Sequence, residues 1–203
     1  LAGLGAVSPV VAATGAFAGQ ATPWQLSFQE PATQMMESII WFERYTLWFI
    51  VPITFLVLAL LAWCIIRYRA SVHPTPSRTS HNTLIEVIWT VGPVIVLLFI
   101  AVPSFQLLTA QYNPPEEPTM TIKATGLQWN WEYEYQDEDL LTFSSFMLQE
   151  HEREAAGKED RNEFPRLLAV DNELVVPVDT TVRVLVTAAD VLHAFAMPSF
   201  GVK

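Results

Sequence analysis

Gly126-Leu127-Gln128-Trp129-Asn130-Trp131-Glu132-Tyr133-Glu134-Tyr135 alternates aromatic and polar side chains. As a strand, it sets Trp129, Trp131, Tyr133 and Tyr135 on one face and Asn130, Glu132 and Glu134 on the other. Four aromatics behind a carboxylate row suit a place where an electron crosses from a charged partner into a protein interior. The competing reading is an ordinary sandwich strand with an aromatic core. Alternating or apolar segments flank it at residues 119–125, 167–170, 174–178 and 181–187, the last with Val182, Val184 and Val186 facing inward. Gly126 falls in the turn between the first two of these strands. Short strands in series predict an all-β sandwich or small barrel. Residues 150–163 form a charged insertion, either a loop or a short exposed helix.

Upstream, residues 47–66 and 87–112 run without a charge for twenty and twenty-six residues. Each is long enough to cross a hydrocarbon core of roughly 30 Å as a helix. Lipid offers no partners to backbone polar groups, so a helical hairpin is expected, with spans at about 45–67 and 86–111. Trp41, Phe42, Tyr45 and Trp48 mark one interface, and Trp63 and Tyr68 the other. Pro52, Pro93 and Pro103 predict local kinks. The linker 67–83 holds Arg67, Arg69 and Arg78 with no acid, which places it inside and both flanks outside. The organisation is then an arm (1–38), a transmembrane hairpin (39–112) and an outer β domain (113–203) that begins with the stiff segment 113–118.

Residues 111–203 carry seventeen acids against seven Lys and Arg, the whole net charge of −10. Such a surface repels nucleic acid and attracts basic proteins, although many soluble acidic domains share that composition. Residues 1–18 are apolar and end in Ala16-Phe17-Ala18, which reads either as a signal-peptide remnant or as a surface-lying arm.

Nucleophile motifs, phosphate loops and zinc spacings are missing from the sequence. Cys64, the one cysteine, falls within the first span and reads as a packed apolar thiol. Glu86 opens the second span, either as a snorkelling or capping carboxylate or as a group delivering protons into a membrane partner. His193 lies among apolar residues, either as a hydrogen-bonded core histidine or as a metal ligand. Met197 reads as core, because residues four apart on an extended strand are separated by roughly 13 Å.

Glu86 with Val87-Ile88-Trp89-Thr90, Gly126-x-Gln-Trp129-x-Trp131-x-Tyr-Glu134-Tyr, Val170-Asp171-Asn172 and Asp190-Val-Leu-His193 occur in this order after the first span. Together they closely resemble cytochrome c oxidase subunit II, from about residue 24 to 203. The resemblance implies a membrane-anchored all-β protein: a two-helix hairpin followed by an incomplete cupredoxin-like β-sandwich or barrel. It sits in a bacterial plasma membrane or mitochondrial inner membrane, with the β domain in the periplasm or intermembrane space. Electrons come from cytochrome c and pass through binuclear copper, CuA, to the haem of subunit I.

By the same resemblance, Trp129 is the tryptophan through which electrons enter. Glu134, Asp137, Asp139 and Asp171 fall in the cytochrome c docking region. Glu86 stands at the mouth of a proton path, and His193 is the first CuA ligand. Trp131 shares the strand parity of Trp129, and only the family pattern favours the latter. The insertion at 144–166 and Ser144, where relatives often carry an acid, alter the docking surface. The family's other CuA ligands lie beyond Lys203, and Cys64 faces the opposite side of the membrane. Residues 1–203 alone are therefore expected not to form CuA, the rest coming from a longer polypeptide or a second chain. Competing readings are a quinol oxidase subunit II without CuA and a purely structural membrane anchor.

Overall fold

The computed structural model describes residues 19–113, 116–137 and 141–203. Asp139 and the arm at 1–18 lie outside the described residues. The chain divides into two units, one of residues 33–115 and the other containing the β elements together with residues that precede the first helix.

The first unit is a pair of long helices, α1 (Gln34–Arg67) and α2 (Thr83–Tyr112). Helix α1 starts ahead of the apolar run because Thr33 caps it, its hydroxyl accepting the Met36 amide at 3.1 Å. Asn82 caps α2 by accepting the Leu84 and Ile85 amides at 3.1 and 3.2 Å. At 34 residues, α1 is roughly 50 Å long and outreaches a bilayer core. Pro52, Pro93 and Pro103 all lie inside the helices. Between the helices, the Tyr45 hydroxyl donates to the Phe99 carbonyl at 3.0 Å and the Phe49 and Phe99 rings stack. Apart from Met36, which is buried, most apolar side chains of the two helices face outward, as a lipid or subunit environment demands.

The second unit is built on a mixed sheet of four strands among the described residues. These are β1 (Met120–Leu127), β2 (Asn130–Tyr135), β3 (Leu141–Phe146) and β4 (Val182–Ala188), in spatial order β3-β2-β1-β4. Strand β1 pairs antiparallel with β2 and parallel with β4. Its alternation buries Ile122, Ala124 and Gly126 on one face. The register sets Tyr135, Tyr133 and Trp131 opposite them, so the aromatic row and the small β1 residues share that face. Of the valines expected to face inward on β4, Val184 is half-buried while Val186 is 51% exposed.

Four expectations change. The last β1–β2 pair is Leu127–Asn130, so Gln128 and Trp129 form a two-residue turn and Trp129 leaves the aromatic face. Gly126 is a β1 residue rather than part of that turn. Segments 167–170 and 174–178 are not ladder strands; beyond one isolated bridge, Met147–Val170, the first turns back so that the Leu168 and Ala169 amides meet the Pro165 carbonyl, and side chains hold the second. The Tyr135 hydroxyl, for example, donates to the Val175 carbonyl at 2.6 Å and accepts the Val175 amide at 3.1 Å. The insertion holds a four-residue helix, α3 (Arg153–Ala156), whose Arg153 is buried rather than solvated.

Arg153 is what closes the insertion. Its guanidinium donates to the carbonyls of Lys158 and Phe164 at 3.1 and 2.8 Å, and Glu150 lies 3.6 Å from its Nε. Lys158 reaches the carbonyls of Val170 and Asp171 at 2.8 and 3.2 Å and pairs with Glu173 at 2.9 Å. Ahead of α1, the Ala32 amide donates to the Ser199 carbonyl at 2.8 Å, which ties this segment to the turn at Pro198–Phe200.

Candidate functional site

Glycine in a strand interior weakens it unless another group must come close. At Gly126 that group is His193. A Cβ on Gly126 would lie 2.7–2.9 Å from the His193 Cβ, Cγ and Cδ2, closer than a Cβ approaches other atoms. The missing side chain thus makes a seat for the imidazole on the aromatic face. Trp131, opposite Gly126, closes one side of the seat. Its ring meets His193 edge-on at 5.9 Å and Phe195 at 5.1 Å between centroids.

Asp190 fixes the ring's orientation. Its Oδ1 accepts His193 Nε2 and the Val191 amide, each at 2.6 Å, and its Oδ2 accepts the Gln128 amide at 2.6 Å. The His193 hydrogen bond, followed by those of the Val191 and Gln128 amides, holds the Asp190 carboxyl down at about 2. A depressed carboxylate contributes stability above its unfolded value and loses it as pH falls through the folded one, so the arrangement persists at neutral pH. An ionised carboxylate only accepts, hence Nε2 carries a proton; in the neutral imidazole this leaves the lone pair on Nδ1. A carboxylate behind an imidazole is the arrangement found at metal-ligating histidines. Among the described residues there is no cluster of three or more His, Cys, Asp or Glu placed to hold a metal. Within the described residues, Gly126, Trp131 and Asp190 together hold one oriented imidazole. Met197 is half-buried and bridges to Val202.

Trp129 is 85% exposed at the tip of the β1–β2 hairpin, one residue beyond the Gln128 amide held by Asp190. The two tryptophans left open by parity are thus separated: Trp131 lies against His193, and Trp129 meets solvent. The acids singled out in the sequence are tied in different ways. Glu134 pairs with Lys123 at 3.5 Å across β1 and β2, and Asp137 accepts the Thr121 amide. Asp171 Oδ1 accepts the Phe146 and Asn172 amides, both at 2.7 Å. Asp137 and Glu173 line an apolar cleft of about 400 Å³ floored by Tyr135, Phe143 and Val175. In the other unit, Glu86 is half-buried in the first turn of α2, where a carboxylate also complements the helix dipole.

Sequence reading missed Asp190 as the partner of His193 and Gly126 as its seat. A glycine inside a strand pattern was the available signal for the second. The first depends on the bend after β4, which local pattern does not encode.

Two long apolar helices, with a β domain that holds one carboxylate-backed imidazole and displays an exposed tryptophan, define a membrane-anchored protein. The sequence pattern of the cytochrome c oxidase subunit II transmembrane domain matches residues 21–107, and that of its periplasmic domain matches residues 120–203. Probable cytochrome c oxidase subunit 2 of Rickettsia felis is 43% identical over 194 residues, which cover 96% of this chain and 59% of that protein. Cytochrome c oxidase subunit 2 of Oenothera berteroana is 45% identical over 195 residues, covering 94% of this chain and 73% of that one. The crystal structure of the periplasmic domain of subunit II of cytochrome oxidase of Bradyrhizobium japonicum shares 48% identity over 43% of this chain and 54% of its own, with a TM-score of 0.35.

This chain belongs to the cytochrome c oxidase subunit II family, a copper-containing family whose members work with other oxidase subunits. It spans 59% of the length of its Rickettsia felis relative. Its helices cross a bacterial plasma membrane or mitochondrial inner membrane, with the β domain on the periplasmic or intermembrane side.

Proposed function

We propose that this chain is the electron-accepting subunit of a haem–copper oxidase. It takes electrons from cytochrome c at the Trp129 tip and passes them by way of CuA to subunit I. The seating of His193 on Gly126, with Asp190 behind its Nε2, carries the reading: the ring is held with one nitrogen committed and the other open. A binuclear copper centre bound there would accept and release one electron at a time. His193 would contribute one ligand, and the remaining ligands would come from residues outside these 203.

The hairpin's exposed indole gives a docked protein an aromatic contact one residue from the Gln128 amide, which donates to the carboxylate holding His193. Glu134, Asp137, Asp139 and Asp171 would steer a basic cytochrome to it through the charge they add to the surface. Glu86 would stand at the inner mouth of a proton path into subunit I, where an ionisable group at a membrane helix end finds its use. The test is the copper content and copper spectrum of the intact complex carrying His193→Asn. The reading expects the binuclear signal to be lost while the subunit still assembles. Full copper with an unaltered spectrum would rule His193 out as a ligand.

A further inference from the structure

Three donors converge on one carboxylate at the base of the hairpin tip: His193 Nε2, the Val191 amide and the Gln128 amide. Two come from the segment after β4, but Gln128 belongs to the β1–β2 turn, 62 residues earlier in the chain. Among the described residues, Asp190 is therefore the one side chain hydrogen-bonded both to the turn that displays Trp129 and to the ring seated on Gly126. From the Trp129 backbone the connection runs through the Gln128 peptide, its N–H, the Asp190 carboxylate and the imidazole. Every link is a covalent bond or a 2.6 Å hydrogen bond.

We propose that Asp190 is a positioning residue with two linked tasks: it fixes His193 as the tautomer that offers Nδ1 to copper, and it supplies the through-bond route from the Trp129 tip to that ring. The proposal rests on the reading of His193 as a copper ligand. Electronic coupling decays more slowly along bonds and short hydrogen bonds than across van der Waals gaps, so such a bridge favours transfer from tip to ligand. The geometry also makes the conservative variant informative. An amide at position 190 has one acceptor oxygen and an NH2 group, so it cannot satisfy three donors. Its NH2 turned toward Nε2 would draw the ring's proton to Nδ1 and block the metal-facing nitrogen. If the oxygen faced His193 instead, the NH2 would oppose the Gln128 amide and break the bridge.

The experiment compares the intact complex with wild-type subunit, Asp190→Asn, Trp129→Gln and the double variant. Two readouts are taken: copper retained against a graded chelator, and the rate of electron transfer from photoreduced cytochrome c already docked. Asp190→Asn should weaken copper retention by roughly 10–100-fold, the usual cost of losing an outer-shell partner. At full copper loading it should also slow the docked transfer. Trp129→Gln should leave copper retention unchanged and slow transfer. The double variant should be no slower than the slower single one, because both interrupt one route. Wild-type copper retention and transfer in Asp190→Asn, with transfer slowed in Trp129→Gln, would overturn the proposal and leave the broader function standing. Rates that multiply in the double variant would overturn the shared route. Undiminished transfer in Trp129→Gln would instead count against the broader function.

Discussion

The β1–β2 hairpin and the insertion at residues 147–170 belong to the same unit but are held by different means. In the hairpin, backbone pairs with backbone over six registered positions, and parity sorts aromatic from charged side chains. The insertion is zipped only at its neck, by the Met147–Val170 bridge and the Leu148 amide bonded to the Ala169 carbonyl. Beyond the neck, Arg153 and Lys158 satisfy carbonyls five to thirteen positions away along the chain. A ladder distributes its stability over many similar bonds, whereas an anchored loop concentrates it in two cations. The hairpin should therefore yield gradually to substitution and the insertion abruptly.

The largest stability effect is expected at Arg153. Arg153→Ala leaves the Lys158 and Phe164 carbonyls without their donor, at about 1–3 kcal/mol for each that stays buried. Hydrogen exchange should rise across 147–170 while residues 120–135 stay protected; equal loosening of both would erase the distinction. Gly126→Ala should do the reverse. The added Cβ displaces His193, costs about 1–3 kcal/mol through overpacking, and loosens the β1–β2 end of the sheet while sparing the insertion. A crystal structure of that variant with His193 unmoved would contradict the seat. Tyr135→Phe is expected to cost about 0.5–1.5 kcal/mol, because one hydroxyl serves both backbone groups of Val175. Its exchange signature should be confined to residues 174–178.

The smallest effects on stability belong to Glu134→Gln and Asp171→Asn, and their readout is kinetic. Exposed charges steer over about a Debye length, roughly 8–10 Å near physiological salt. Both variants should slow cytochrome association at low salt and matter less at high salt. An asparagine oxygen can still accept the Phe146 and Asn172 amides, so Asp171→Asn should remove charge without opening the insertion's neck. Association rates indifferent to salt and to both substitutions would remove these acids from the docking surface.

The same division explains what the sequence made legible. Period-two alternation at residues 119–125 and 181–187 anticipated β1 and β4, and the apolar runs anticipated α1 and α2. Parity failed at Trp129, because a two-residue turn ends the pleat between Leu127 and Asn130. Strand β3 was not anticipated: the insertion reads as 144–166, yet residues 144–146 continue the strand, and Ser145 is buried with its hydroxyl donating to the Asn172 carbonyl at 2.7 Å. Segments 167–170 and 174–178 look like strands by composition, but a local turn commits the Leu168 and Ala169 amides to the Pro165 carbonyl, and Lys158 and Tyr135 reach the Val170 and Val175 carbonyls from a distance. For the site, a family resemblance pointed to His193 and Trp129. The carboxylate of Asp190 stands in the same motif as His193, but its part in joining them was not legible, since it depends on a bend meeting a turn 62 residues away.

The central claim is that the exposed hairpin tip, rather than the buried aromatic row, is where electrons enter. Its most direct test is the intramolecular transfer rate from docked cytochrome c in complexes carrying Trp129→Gln or Trp131→Phe, with cytochrome affinity measured in parallel. The account predicts that Trp129→Gln slows transfer sharply while affinity stays near wild type, and that Trp131→Phe, which keeps a ring against His193, changes the rate far less. Normal transfer in Trp129→Gln with collapsed affinity would make Trp129 a docking anchor and contradict the account.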